Sequence, residues 1–111
     1  MARVIFQKPA TYRDPSLREL VARLPCVNCG VEGRTQAAHL NLGKAMGLKS
    51  SDAAIAALCC SGPGWQGCHE DYDQGKRMGK EERREFGQRA VMLTYVALME
   101  RGWLKIDQEA V

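Results

Sequence analysis

Five cysteines carry the clearest chemistry of this sequence, because their spacing is that of metal ligands. Cys26 and Cys29 are separated by two residues and precede a glycine, so a single tight turn presents two thiolates. In the segment LCCSGPGWQGCH, Cys59 or Cys60 supplies a third ligand and Cys68 a fourth. Four thiolates leave no open position on the ion, so we predict a structural Zn²⁺ site. The alternatives are buried cysteines without metal, or a redox pair at positions 26 and 29.

The two histidines lie close to these cysteines in the sequence. His69 and Asp73 are four residues apart, which places them on one face of a helix. An imidazole and a carboxylate so placed can hold a divalent cation and leave positions for water and phosphate. The alternative is that Asp73 is a solvated acid with no ligand, and that His39 and His69 serve hydrogen bonding alone.

Bulk composition limits the class of protein. The chain has 111 residues, of which 45% are hydrophobic, and we expect one domain over residues 1–111. No apolar stretch is long enough for a membrane span, and the first residues do not resemble a signal peptide, so we expect a cytoplasmic protein. Thiols stay reduced in that compartment, and five of them cannot all pair, which favours metal binding over disulfides.

The local patterns predict four helices and one strand. The sequence DPSLRELVARLP predicts a helix from residue 15 to its end before Pro25, with Asp14 as its N-cap. RTQAAHL predicts a short strand, and the Ala-rich DAAIAALC predicts a short helix. Residues 68–75 fit a two-turn helix, and a long helix spans about 80–101. Its predicted core face consists of Phe86, Ala90, Leu93 and Ala97, with Val96 beside them.

Basic side chains indicate a polyanionic partner. The formal net charge is only +3, but Lys76 and Arg77 follow the proposed metal-binding helix, and Lys44 and Lys49 lie in a Gly-rich loop. We predict that these four residues contact nucleic acid without reading its sequence. The alternative for the basic stretch from residue 76 to 89 is a solvated helix face stabilised by ion pairs.

The order of these motifs resembles that of the zinc-stapled HNH, or His-Me finger (ββα-metal), endonucleases. The resemblance rests on the Cys26 pair, AHL at 38–40, LC at 58–59, and CH at 68–69 with an acid four residues later. Within that superfamily the chain is most similar to small phage- and prophage-encoded members associated with recombination. The resemblance covers residues 25–76 and implies an α+β fold, in which a zinc-stapled ββα-metal core is flanked by an N-terminal and a long C-terminal helix.

The resemblance also implies a mechanism and partners. His39 is then the general base, and His69 with Asp73 holds the catalytic cation (Mg²⁺, Mn²⁺ or Zn²⁺). The expected activity is hydrolysis of phosphodiester bonds, most simply in DNA, with a recombination or repair protein as a further partner. The chain departs from the family at Ala38, where a metal ligand is usual, and lacks the usual Asn, for which Asn41 or Asp52 is the nearby substitute that could orient His39. The alternative function is a noncatalytic zinc module that binds DNA or a protein.

Overall fold

A computed structural model describes residues 12–40, 51–74 and 78–106 of the chain. Within these ranges the elements are α1 (Pro15–Ala22), β1 (Thr35–His39), β2 (Ile55–Cys59), α2 (Cys68–Gln74) and α3 (Lys80–Glu100). The two strands form an antiparallel sheet, and the three helices pack around it. The predicted α+β class is therefore confirmed, as are the N-terminal helix, the strand that ends at His39, the helix that begins at Cys68 and the long C-terminal helix.

Helix α1 begins where the sequence predicts. The Asp14 side chain accepts a hydrogen bond of 3.1 Å from the backbone N–H of Leu17, and Pro15 occupies the first helical position, where no N–H is required. Leu17 and Val21 are buried one turn apart and face the sheet. The helix thus fixes the position of the residues that precede it, Asp14 among them, against the sheet.

The strand register divides the core into two clusters on opposite faces of the sheet. Thr35 pairs with Cys59 and His39 with Ile55. Because side chains alternate along a strand, Ala37 and His39 share one face, and Ala38 lies on the other. Ala37 accordingly packs with the residues of α1, whereas Ala38 belongs to the cluster that contains Tyr72 of α2.

Both backbone edges of β2 are occupied, whereas β1 is bonded on one side only. On the edge of β2 away from β1, the Ala57 N–H donates to Thr94 Oγ1 at 3.0 Å, and the Ala57 carbonyl accepts from the Val27 N–H at 2.9 Å. Within the described residues, β1 pairs with β2 alone. Among the described residues, the outer edge of β1 is thus the sheet edge to which no strand is paired.

The prediction of a helix for the DAAIAALC segment was wrong, because residues 55–59 form β2. All five residues of the strand are buried, between β1 and α3 along its edges and between the two core clusters on its faces. Small alanines allow helices to pack closely on both sides of the strand. Tertiary burial outweighs helix propensity, which for alanine amounts to less than about 1 kcal/mol per residue.

Helix α3 packs across the sheet through a face that the sequence predicts only in part. Ala90 is buried and Phe86 is partly buried, as expected, but the predicted neighbour Val96 is exposed. The polar Thr94 is fully buried instead, because its hydroxyl donates to the Ala90 carbonyl at 2.7 Å while accepting the Ala57 N–H. Near the start of α3, Gly87 allows the Tyr72 ring to approach the helix closely.

Among the described residues no helix has the length and apolarity that a membrane crossing requires.

Candidate metal centre and histidine sites

The four cysteines predicted as zinc ligands converge on one point. The sulfurs of Cys26, Cys29, Cys59 and Cys68 all lie within 4.8 Å of one another. The Cys29 and Cys59 sulfurs are 3.7 Å apart, and sulfurs at about 2.3 Å from a tetrahedral ion are about 3.8 Å apart. The cluster could therefore hold a metal such as zinc. Cys60 is outside this group, which favours Cys59 as the third ligand.

Hydrogen bonds of the backbone position the four cysteines as two pairs, Cys26 with Cys29 and Cys59 with Cys68. In the first pair, the Gly30 N–H donates to the Cys26 carbonyl at 2.8 Å, and Gly30 adopts a φ of +83°, a left-handed conformation that glycine tolerates. In the second pair, the Cys68 N–H donates to the Cys59 sulfur at 3.3 Å. The bond between Val27 and Ala57 joins the first turn to β2, so the two pairs meet at the end of that strand.

The pKa values of these thiols are shifted in opposite directions. Burial raises the pKa of Cys26, but backbone N–H groups, those of Cys29 and Cys59 among them, outweigh it and lower the pKa to about 7. Burial is the main cause that raises the pKa of Cys59 and of Cys68. Cys26 thus ionises at a lower pH than Cys59 and Cys68, and metal binding must release protons from those two thiols.

The loop between the third and fourth cysteines is held in close contact with β2 at Gly67. A Cβ atom at this position would overlap the Cys59 carbonyl oxygen and the Cys60 carbonyl carbon, so only glycine fits. The Gly67 N–H also donates to Ser61 Oγ at 2.9 Å. These contacts determine where Cys68 enters α2.

Replacing Gly67 with alanine should weaken zinc binding, because the added methyl group pushes Cys68 away from Cys59. We expect a loss of about 1 to 3 kcal/mol in the free energy of unfolding of the zinc-loaded protein. Competition with a chromophoric chelator should show a matching fall in zinc affinity. Gly79→Ala is the control, since its Cβ atom would lie 3.8 Å from the nearest heavy atom, an ordinary contact. Equal zinc affinities for the two variants would contradict the role of Gly67.

His39 is oriented by a buried carboxylate. Its Nε2 lies 2.6 Å from Asp52 Oδ1, and Asp52 is fully buried while the histidine side chain is 34% exposed. The other Asp52 oxygen accepts the Asp14 N–H at 2.7 Å and an Arg18 guanidinium N–H at 3.1 Å. Of the two residues suggested as orienting groups, Asp52 makes this contact. Asn41 lies outside the described residues.

This network makes protein stability depend on the ionisation of Asp52. Burial raises the pKa of the carboxyl, but bonds from the Asp14 N–H, from His39 and the charge of Arg18 outweigh it, so the net pKa lies below the ordinary 3.8. A carboxyl with a lowered pKa in the folded state stabilises the protein fully above its unfolded pKa. That contribution disappears as the pH falls below about 4 towards the folded pKa.

Asp52→Asn should therefore lower the free energy of unfolding at pH 7 by about 1 to 3 kcal/mol, because three charge-assisted hydrogen bonds lose their ionised acceptor. The difference between the wild-type and variant proteins should shrink as the pH is lowered through 4 and below. Denaturant melts at several pH values measure this difference. A difference that grows with acidity would show that Asp52 is protonated in the folded protein.

The His69 ring is held from both sides. Its Nδ1 lies 2.9 Å from Gln36 Oε1 on β1, and its Nε2 lies 3.3 Å from Asp73 Oδ2 one helical turn away. The predicted pairing of His69 with Asp73 on one helix face is thus present. Gln36 is a site residue that the sequence analysis missed, although strand alternation places it on the same face as Ala38.

The two histidines do not contact each other in the described part of the chain. His39 lies on the face of β1 that packs against α1. Gln36, whose side chain contacts His69, lies on the opposite face. The two rings thus lie on different sides of the sheet. Ala38 is buried, and its methyl side chain offers no ligand.

The four predicted nucleic-acid contacts lie outside the described residues: Lys44, Lys49, Lys76 and Arg77. Nearby, Arg83 donates from Nε to the Tyr72 carbonyl at 2.8 Å, so this basic residue of α3 holds the end of α2. Arg34 stacks on Trp65, with 4.7 Å between the guanidinium carbon and the ring centroid.

Comparison with protein-family models, curated proteins and solved structures found no match.

Proposed function

We propose that this protein is a metal-dependent endonuclease of the HNH, ββα-metal type, which hydrolyses phosphodiester bonds of DNA at the outer edge of β1. One observation carries the proposal. A fully buried, ionised Asp52 accepts hydrogen bonds from the N-cap Asp14 and from Arg18 of α1, and its other oxygen contacts a histidine that remains one-third exposed. A general base requires a fixed ring orientation, which this carboxylate provides, and the exposed part of the ring can meet water.

The chain's own residues supply the proton transfer. An ionised carboxylate only accepts, so His39 Nε2 carries the proton that Asp52 binds, and the lone pair of the neutral ring lies on Nδ1. Nδ1 takes a proton from water as that water attacks phosphorus in line with the departing 3′-oxygen. The product then carries a 5′-phosphate.

His69 and Asp73 are the residues that would hold the catalytic cation. Their facing atoms are 3.3 Å apart, and two ligands at about 2.1 Å from one ion are about 3.0 to 3.4 Å apart. A divalent cation bound there would supply stabilisation of negative charge on the leaving oxygen. The cysteine cluster has a separate role, since a closed four-thiolate zinc site joins the first turn to β2 and α2.

A second function, that of a noncatalytic zinc module that binds DNA or a protein, is favoured by two observations. The usual ligand position before His39 is the buried Ala38, and the two histidines lie on opposite faces of β1. In such a module the histidines stabilise the fold through Asp52, Gln36 and Asp73.

Nicking of supercoiled plasmid separates the two functions. We expect the zinc-loaded chain to convert plasmid to the open circle only when Mg²⁺ or Mn²⁺ is added. Asp73→Asn should lose this nicking and keep its fold, because the side chain would hold the cation but is 59% exposed. Plasmid binding in a gel-shift assay without nicking by any of these cations would favour the noncatalytic module.

A further inference from the structure

The side chain of Gln36 links strand β1 to helix α2. Gln36 pairs across the sheet with Leu58, the last but one residue of β2, and its own side chain is exposed on the face that carries Ala38. From there its Oε1 reaches His69 Nδ1 at 2.9 Å. Among the described residues this hydrogen bond joins a side chain of β1 to a side chain of α2, so it fixes the ring relative to the strand.

The bond determines which nitrogen of His69 carries the proton. An amide oxygen can only accept, so Nδ1 is the protonated nitrogen and donates to Gln36. In the neutral ring the lone pair then lies on Nε2, which faces Asp73 Oδ2 at 3.3 Å. The lone pair and the carboxylate repel each other at this distance unless a proton or a metal cation lies between them. The arrangement is the one found at metal-binding histidines, whose second nitrogen donates to an acceptor outside the ligand set.

We propose that Gln36 is the positioning residue of the cation site: by accepting the proton of His69 Nδ1, it presents the Nε2 lone pair beside Asp73 to a divalent cation. This inference rests on the proposed function for the use of the cation, but it concerns an amide that the resemblance does not include. It also accounts for a site with few protein ligands, because the one imidazole is already oriented before the cation binds.

Three variants of the zinc-loaded chain test the role of Gln36. Gln36→Leu removes the acceptor, Gln36→Glu keeps one, and Gln88→Leu makes the same change at an exposed position of α3. Nitrogen-15 NMR of the imidazole without added Mn²⁺ reports the His69 tautomer, and electron paramagnetic resonance of free Mn²⁺ reports its dissociation constant. Residues that hydrogen-bond to a metal ligand without binding the metal typically contribute about 10- to 100-fold to metal affinity.

We expect the wild-type protein, Gln36→Glu and Gln88→Leu to show His69 protonated on Nδ1. Gln36→Leu should lose that preference and bind Mn²⁺ at least about tenfold more weakly, with its zinc content unchanged. An unaltered tautomer and Mn²⁺ affinity in Gln36→Leu would overturn the inference, even if the protein cuts DNA. If the tautomer and affinity change as expected but the wild-type chain does not nick plasmid, the proposed nuclease function fails and the role of Gln36 stands. Absence of Mn²⁺ binding by the wild-type chain would overturn both.

Discussion

Replacing Cys59 with serine should abolish stoichiometric zinc binding and cooperative unfolding, whereas Cys60→Ser should leave both unchanged. The two cysteines are neighbours, but only the Cys59 sulfur lies with those of Cys26, Cys29 and Cys68. Structural zinc contributes about 10 to 16 kcal/mol in small zinc domains, which is as large as the whole stability of an ordinary domain. Without the ion the chain keeps too few constraints between residues 25 and 68 to hold the fold.

Metal analysis and thermal denaturation followed by circular dichroism measure this pair of variants. The wild-type protein and Cys60→Ser should each carry one zinc per chain and unfold in one transition. Removal of zinc from the wild-type protein by a chelator should reproduce the Cys59→Ser result. Retention of zinc by Cys59→Ser, or its loss from Cys60→Ser, would contradict the ligand set.

His39→Gln should reduce the rate of plasmid nicking by about 10²- to 10⁴-fold, which is the usual contribution of a general base. Glutamine can still donate a hydrogen bond to Asp52, so the buried carboxylate keeps a partner and the fold should persist. Its side chain has no basic nitrogen, however, and cannot take the proton from water. Rates of open-circle formation with Mn²⁺ in excess measure the effect.

His69→Gln is the matched comparison for this variant, because it makes the same change at the other histidine. If His69 binds the cation, its replacement weakens cation affinity, and a higher Mn²⁺ concentration should restore part of the activity. No Mn²⁺ concentration should restore His39→Gln. Nicking by His39→Gln at the wild-type rate, with zinc content equal in both proteins, would remove His39 from the mechanism.

The sequence predicts the helices better than the sheet, for reasons that lie in how each is stabilised. Helix α1 has local signals, since Asp14 caps it and Pro15 opens it. Strand β2 has no such signal, because its alanines favour a helix and only contacts with β1, α1 and α3 make it a strand. The position of Thr94 on the buried face of α3 was missed for the same reason, since its hydroxyl is satisfied by a residue 37 positions away.

The cysteine cluster was predictable because only two residues separate Cys26 from Cys29. A tetrahedral metal ion then requires two further ligands, which Cys59 and Cys68 supply. The partners of the histidines differ in this respect. Asp73 follows His69 by one helical turn, so the sequence predicts the pair. Gln36 meets His69 across 33 positions, and Arg18 meets Asp52 across 34, so these contacts depend on the packing of α1 and α2 against the sheet.

The most direct test of the account is the number of Mn²⁺ ions that the zinc-loaded chain binds, followed by electron paramagnetic resonance. We predict one Mn²⁺ per chain in addition to one zinc, with the Mn²⁺ lost in Asp73→Asn and the zinc retained. A chain that holds its zinc and binds no second ion, yet still contacts DNA, would contradict the account and leave the noncatalytic module.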